Sequence, residues 1–216
     1  MKTNQTVAII GLGNIGQAIG NNLSKSQREF IAADRNTEKA ANYVAKWGNH
    51  AKSTDINSAI KEAGIIVLSI PYEAISPFIA EYRQDLQGKI VIDPSNPIAP
   101  DENGGFKKII EQNLSAGVLN HQSTPEGIYL VKALGTLGVD SLNSVAYQTP
   151  QKAILFYASD DSSLDQDVES VIHDLGFEAL KVGGIESSSR IEVFGDLHEF
   201  GALGKPVNME EAKSKL

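Results

Sequence analysis

The chain contains no cysteine. Disulfides, thiolate nucleophiles, iron–sulfur clusters and cysteine-ligated zinc are therefore excluded. Positive charge is in deficit: 19 Lys and Arg stand against 27 Asp and Glu, a formal net charge of −8. That balance argues against nucleic acid or an anionic membrane as the main partner. No apolar run approaches the length needed to span a bilayer, and the polar start at 1–5 lacks the pattern of a signal peptide. A cytoplasmic location is the expectation. The histidines His50, His121, His173 and His198 show no metal-ligand spacing, so no metal is expected. Tandem repeats and low-complexity tracts are also missing.

What is present has the balance of an ordinary globular domain, with 41% hydrophobic and 21% charged residues. One stretch organises the rest. At 7–16 the chain reads V-A-I-I-G-L-G-N-I-G, an apolar β-prone run entering Gly11-Leu12-Gly13-Asn14-Ile15-Gly16. Ile15, Ile19 and Leu23 then recur at helical spacing. This is a strand, a tight glycine turn and the start of a helix, the arrangement that seats a pyrophosphate on a helix N-terminus. Gly11 permits the turn, Gly13 lets the phosphates approach the backbone, and Gly16 lets helix and strand pack closely. A second apolar run at 30–33 ends in Asp34, 23 residues past Gly11. That is close to the spacing of a ribose-binding acid.

Further along, helices are expected at 38–46, with Thr37 as N-cap, and at 55–63. Strands follow at 65–68 and 90–92, separated by a helix carrying Ile75, Phe78, Ile79 and Tyr82. The alternation implies a parallel, doubly wound α/β sheet of the Rossmann type. Ligands in such sheets sit beyond the carboxyl ends of the strands. Four segments qualify: Gly11 to Gly16, Asp34-Arg35-Asn36, Ser69-Ile70-Pro71, and Asp93 to Pro97 with Asn96. The pattern then weakens, with a loop at 100–105, a short helix at 106–114, a helix at 115–124 and a strand at 129–134. The end of the chain reads as a strand at 152–158, a helix at 163–175, a strand at 177–182 and a last helix at 187–200. We expect a dinucleotide-binding domain over 1–150 and a small α/β lobe over 151–216 that covers the cofactor cleft.

The ordered set of landmarks resembles the deazaflavin-dependent NADP oxidoreductase family. The resemblance rests on G-L-G-N-I-G at 11–16, S-I-P at 69–71, D-P-S-N-P at 93–97, V-K-A-L-G-T-L at 131–137, S-D-D at 159–161, L-G-F at 175–177, and Ser189-Arg190. It implies a Rossmann domain with a small C-terminal domain, commonly a dimer, and hydride transfer between a nicotinamide and a flat redox ring. It places Ser69, Ile70 and Pro71 beside the cofactor, and Asn96, Pro97 and the stretch around Gly135 towards the nicotinamide. Arg35 and Lys39 match its 2′-phosphate-binding positions, which implies NADP. Asp34 stands where the family has a small polar residue, and its carboxylate favours NAD. The chain also departs from the pattern at Gly135, where members usually carry Asn or His. The acceptor is left open among a flavin or deazaflavin, a quinone and something smaller.

No catalytic dyad is visible, which suits direct hydride transfer, where the protein supplies geometry rather than acid or base. His198 is the histidine expected nearest a cleft, in a structural role. Lys132 reads as a solvated strand position, and Asp160-Asp161 as a helix cap. A dinucleotide-sensing module without turnover is the competing reading.

Overall fold

The computed structural model describes residues 5–102 and 104–216; residues 1–4 and Asn103, in the expected loop, lie outside the described residues. The apolar run before the glycine loop forms β1 (Val7–Ile10), with all four side chains buried. There follow α1 (Asn14–Ser26), β2 (Phe30–Ala33), α2 (Thr37–Trp47), β3 (Ala51–Ser53), α3 (Ile56–Glu62), β4 (Ile65–Leu68), α4 (Tyr72–Glu81) and β5 (Ile90–Asp93). The second half contains β6 (Ile98–Pro100), β7 (Phe106–Lys108), α5 (Ala116–Ser123), β8 (Tyr129–Ala133), α6 (Val139–Ser144) and β9 (Ile154–Ala158). Last come α7 (Asp165–Asp174), β10 (Glu178–Gly183), α8 (Ser188–Ile191) and α9 (Met209–Lys213).

Eight strands form one sheet in the order β10-β9-β8-β5-β4-β1-β2-β3. β1 pairs in parallel with β2 on one side and β4 on the other, Val7 lying opposite both Phe30 and Ile65. The level register brings the loops after β1, β2, β4 and β5 out along a single edge. The chain changes direction across the sheet between β1 and β4, the crevice where such sheets bind ligands. Both faces of the central strands are covered, so β1, β2 and β4 are apolar throughout and their side chains alternate between two cores. Val7 and Ile9 pack with Leu12, Ile19 and Leu23 of the α1 side. Ala8 and Ile10 pack with Ile60, Ile75 and Ile79 on the opposite face.

The expected doubly wound α/β fold is thus present, with one reversal. β9 runs antiparallel to β8, and β10 runs parallel to β9. The strands expected in the C-terminal lobe therefore extend the same sheet. Their outer face has its own small core, in which Ile154 and Phe156 meet Ile191, Leu197, Val207 and Ala212.

Several local expectations are corrected. Asn36, not Thr37, caps α2, its side chain accepting from the Lys39 N–H. The segment expected as a helix at 106–114 instead pairs β7 with β6 in an antiparallel hairpin. Gly104, at φ +82°, and the Asp101 N–H to Gly105 carbonyl bond reverse the chain there, while Phe106 and Ile109 stay exposed with no face to bury. The single helix expected at 187–200 is only α8. Beyond it the backbone becomes extended at Glu192, and Phe194 enters the left-handed region. Gly195 then folds back so closely on the Ser189 and Arg190 carbonyls that no side chain would fit. The edge strand β3 and the short helix α6 are additions to the expected elements.

Candidate functional site

The three fingerprint glycines stand in different surroundings. Gly11 turns the chain at φ +90°, and a Cβ there would strike the Ser69 carbonyl. A Cβ on Gly16 would strike the Gly11 carbonyl. Gly13 has no neighbouring atom within 4 Å of where a Cβ would stand, and it is the N-cap of α1 with no side-chain partner. Gly11 and Gly16 shape the turn, whereas Gly13 opens a space at the positive end of a 13-residue helix. A group bearing phosphates fits this cradle.

A cavity of about 630 Å³ extends from that point. Of the expected site residues it brings together Gly13, Asn14, Ile15, Ser69, Ile70, Pro71, Asn96 and Gly135. Gly11, Leu12 and Gly16 are framework beneath it, and the Leu12 side chain is fully buried. Asp34, Arg35, Asn36 and Lys39 stand at the end of β2, outside its lining. Pro97 also lies outside it, buried, with its carbonyl accepting from Ile109 N at the base of the hairpin.

Asp34 braces the glycine loop. Oδ2 accepts from Leu12 N at 2.8 Å, Oδ1 accepts from Asn36 N at 2.9 Å, and the Lys39 Nζ lies 3.5 Å from Oδ2. Partial burial pushes its pKa up, but the two N–H groups and the Lys39 ammonium outweigh this and hold it below the ordinary carboxylate value. Arg35 beside it is exposed.

At the other end of the cavity, Asn96 joins three parts of the chain. Its Nδ2 donates to the Gly135 carbonyl at 3.0 Å, and its Oδ1 accepts from Val193 N at 2.8 Å. A Cβ on Gly135 would lie 2.5 Å from the Pro94 carbonyl oxygen, so this backbone has no room for the Asn or His that the resemblance leads one to expect. An imidazole nevertheless reaches the place from elsewhere in the chain. His198 is 1% exposed, with Nε2 2.9 Å from the Gly135 oxygen. Its Nδ1 accepts from Phe200 N at 2.9 Å, so Nε2 carries the proton and donates. Burial drives its pKa down to about 4, against the opposing pull of the Gly135 carbonyl, and the ring is neutral at pH 7.

Residues not named as site residues from sequence complete the walls. Tyr72, Pro94, Leu137, Val139, Val193 and Phe200 supply apolar surface. Glu199, 7% exposed, accepts from Gly138 N. Gly135 pointed to this region, but the irregular path at 192–200 carried no periodic signal.

Below the cavity lies a polar cluster. Lys132, expected to be solvated, is 2% exposed. Its ammonium lies 3.1 Å from Asp93 Oδ2 and donates to the Ser95 carbonyl. Asp93 also accepts from Ser95 N at 2.8 Å and Asn120 Nδ2 at 2.9 Å. Glu192 caps α5, accepting from Ser115 Oγ, Ala116 N and Gly117 N at 2.8–3.0 Å. Asp161 caps the turn before α7, as expected for one member of the acid pair. His121 and His173 are exposed. Among the described residues no group of three or more His, Asp or Glu is placed to hold a metal ion, and no helix is long and apolar enough to cross a membrane.

Residues 6–97 match the model of the family described as NADP oxidoreductase coenzyme F420-dependent. The chain is 24% identical over 197 residues to an F420-dependent NADP reductase of Methanothermobacter thermautotrophicus, a match spanning 86% of this chain and 84% of that one. Among solved structures, a hypothetical protein from Sinorhizobium meliloti aligns with a TM-score of 0.81 at 24% identity, over 94% of this chain and 95% of its own. A pyrroline-5-carboxylate reductase from Coxiella burnetii aligns with a TM-score of 0.65 at 15% identity, over 90% of this chain and 65% of its own. These structural likenesses concern the fold.

Proposed function

We propose, from the match of residues 6–97 to the family described as NADP oxidoreductase coenzyme F420-dependent, that the chain moves a hydride between NADP and a flat, flavin- or deazaflavin-like acceptor. The observation that carries this is a cavity that begins at the open Gly13 cradle and ends between the β8 loop and the 193–200 segment. Residues 1–150 hold the dinucleotide in this reading, and 151–216 supply the cover. NADP, when bound, supplies or takes the hydride. The chain's own residues bind, orient and exclude water. Gly13 and the first turn of α1 hold the pyrophosphate. Ser69, Ile70 and Pro71 form one wall, and Asn96 with His198 fixes the Gly135 carbonyl opposite. His198 has both ring nitrogens engaged and is a prop, not an acid or base. Stopped-flow absorbance of NADPH mixed with riboflavin, a deazaflavin or a quinone tests the reading. Acceptor-dependent oxidation with at least one of them is the expected result. Tight NADPH binding with no oxidation across the panel would favour the sensing module instead.

NADP is preferred over NAD in this reading. The Asp34 carboxylate is already engaged by two backbone N–H groups and Lys39, while the exposed Arg35 offers paired donors to a 2′-phosphate. Arg35→Ala is expected to weaken NADP binding by roughly tenfold, about the worth of one charge-assisted contact, with little effect on NAD. Asp34→Ser is expected to tighten NADP and weaken NAD. Calorimetric titration of both cofactors decides it: unchanged NADP affinity in Arg35→Ala would assign the strand end to NAD.

A further inference from the structure

The buried ion pair beneath the cavity holds the backbone of one residue. Asp93 and Lys132 lie opposite each other where β5 pairs with β8, at 0% and 2% exposure, with the ammonium 3.1 Å from Asp93 Oδ2. Asp93 Oδ1 accepts from Ser95 N at 2.8 Å, and Lys132 donates to the Ser95 carbonyl. Ser95 is therefore gripped at both its N–H and its C=O. Asn120 of α5 anchors the pair, donating to Asp93 Oδ2 at 2.9 Å. Stability alone does not account for this arrangement. Ile92, Val131 and Ala133 already bury the same strand pair, and a buried ion pair adds little over apolar side chains of similar volume. What the pair supplies is direction. Ser95 and Asn96 both line the cavity, and Asn96 in turn bonds to the Gly135 carbonyl and Val193 N. None of these bonds reaches the Gly13 cradle, which follows β1 and is separated from β5 by β4.

Resting on the redox reading above, we propose that Lys132 and Asp93 are positioning residues for the nicotinamide end of the dinucleotide. They touch neither cofactor nor acceptor. They fix the Ser95 backbone, and through it the Asn96 side chain that sets the far wall against which the ring is held. The pyrophosphate and adenosine are anchored separately, at the Gly13 cradle and the end of β2. Loosening the pair is therefore expected to disturb the reducing end alone, where a displacement of about 1 Å slows transfer by about a hundredfold.

Two ligands separate the two ends: NADPH, and 2′-phospho-ADP-ribose, which keeps the adenosine and pyrophosphate but lacks the nicotinamide. Both are titrated calorimetrically into wild type and into the double variant Lys132→Met with Asp93→Asn, which frees the Ser95 carbonyl without stranding a charge. NADPH affinity is expected to fall by about tenfold, while that for 2′-phospho-ADP-ribose stays within about twofold. With saturating NADPH, kcat for riboflavin reduction is expected to fall about a hundredfold. Asn120→Ala, which removes one anchor of Asp93, is expected to show the same selectivity at about threefold. It stands in should a melting curve show the double variant unfolded. Selective loss of NADPH affinity, with no acceptor oxidising NADPH in wild type, would uphold this inference and sink the redox reading. The inference is overturned by equal loss of both ligands, which a merely structural role would give, or by unchanged NADPH affinity or unchanged kcat in a folded variant.

Discussion

Gly13 and Gly16 belong to one motif but answer to different constraints. The first faces open space and the second faces a backbone carbonyl. Gly13→Val is expected to keep its melting temperature within a few degrees, the range of a surface change, and to lose dinucleotide binding by calorimetry. Gly16→Ala is expected to destabilise by about 1–3 kcal/mol, because the added methyl drives α1 against the Gly11 carbonyl of the turn. Retained binding in folded Gly13→Val would reduce that position to a turn. His198 gives a second residue-scale expectation. Its folded pKa of about 4 lies below its unfolded value of 6.5. Between those limits the unfolded chain binds the extra proton, so stability rises with pH. It is fully present above pH 6.5 and is lost as pH falls towards 4, by up to about 1.4 kcal/mol per pH unit and about 3 in total. Urea midpoints measured across that window should show the slope, and His198→Gln should flatten it.

Among elements, those most legible in sequence are those buried on both faces. β1, β2 and β4 are four-residue apolar runs and β5 is apolar up to Asp93, because helices cover each side, and every residue of each is buried. The hairpin of β6 and β7 was illegible for the opposite reason: its side chains are partly or fully exposed, so no period is imposed on them. Lys132 was misread because its partner is remote in sequence. A lysine in a strand reads as an edge position, and only pairing β8 with β5 brings Asp93 beside it. The burial of that pair has a measurable consequence. Lys132→Met is expected to cost about 3–5 kcal/mol by leaving Asp93 uncompensated, and adding Asp93→Asn should recover much of it. Denaturant unfolding of the single and double variants checks this. Equal losses in both would mean that the stem of Lys132, rather than its charge, is what matters.

On the scale of the whole molecule, the site is assembled from segments far apart in the chain. The glycine loop and the acid after β2 were readable because both are local features. The far end of the cavity was not, since Asn96, Gly135, Val193 and His198 meet only when β8, β5 and the 193–200 segment are all in place. The single side chain of Asn96 ties these parts through two hydrogen bonds. Synthesis on the ribosome gives that knot a direction in time. β1, α1 and β2 emerge early and carry the phosphate cradle, whereas the partner of Asn96 Oδ1 at Val193 is nearly the last of the site to leave the exit tunnel. In the proposed reading, a nascent chain halted before that point would hold the adenosine half of a cofactor seat and no enclosed place for the reducing end, so a nicotinamide could not be held out of water until residues 193–200 are made.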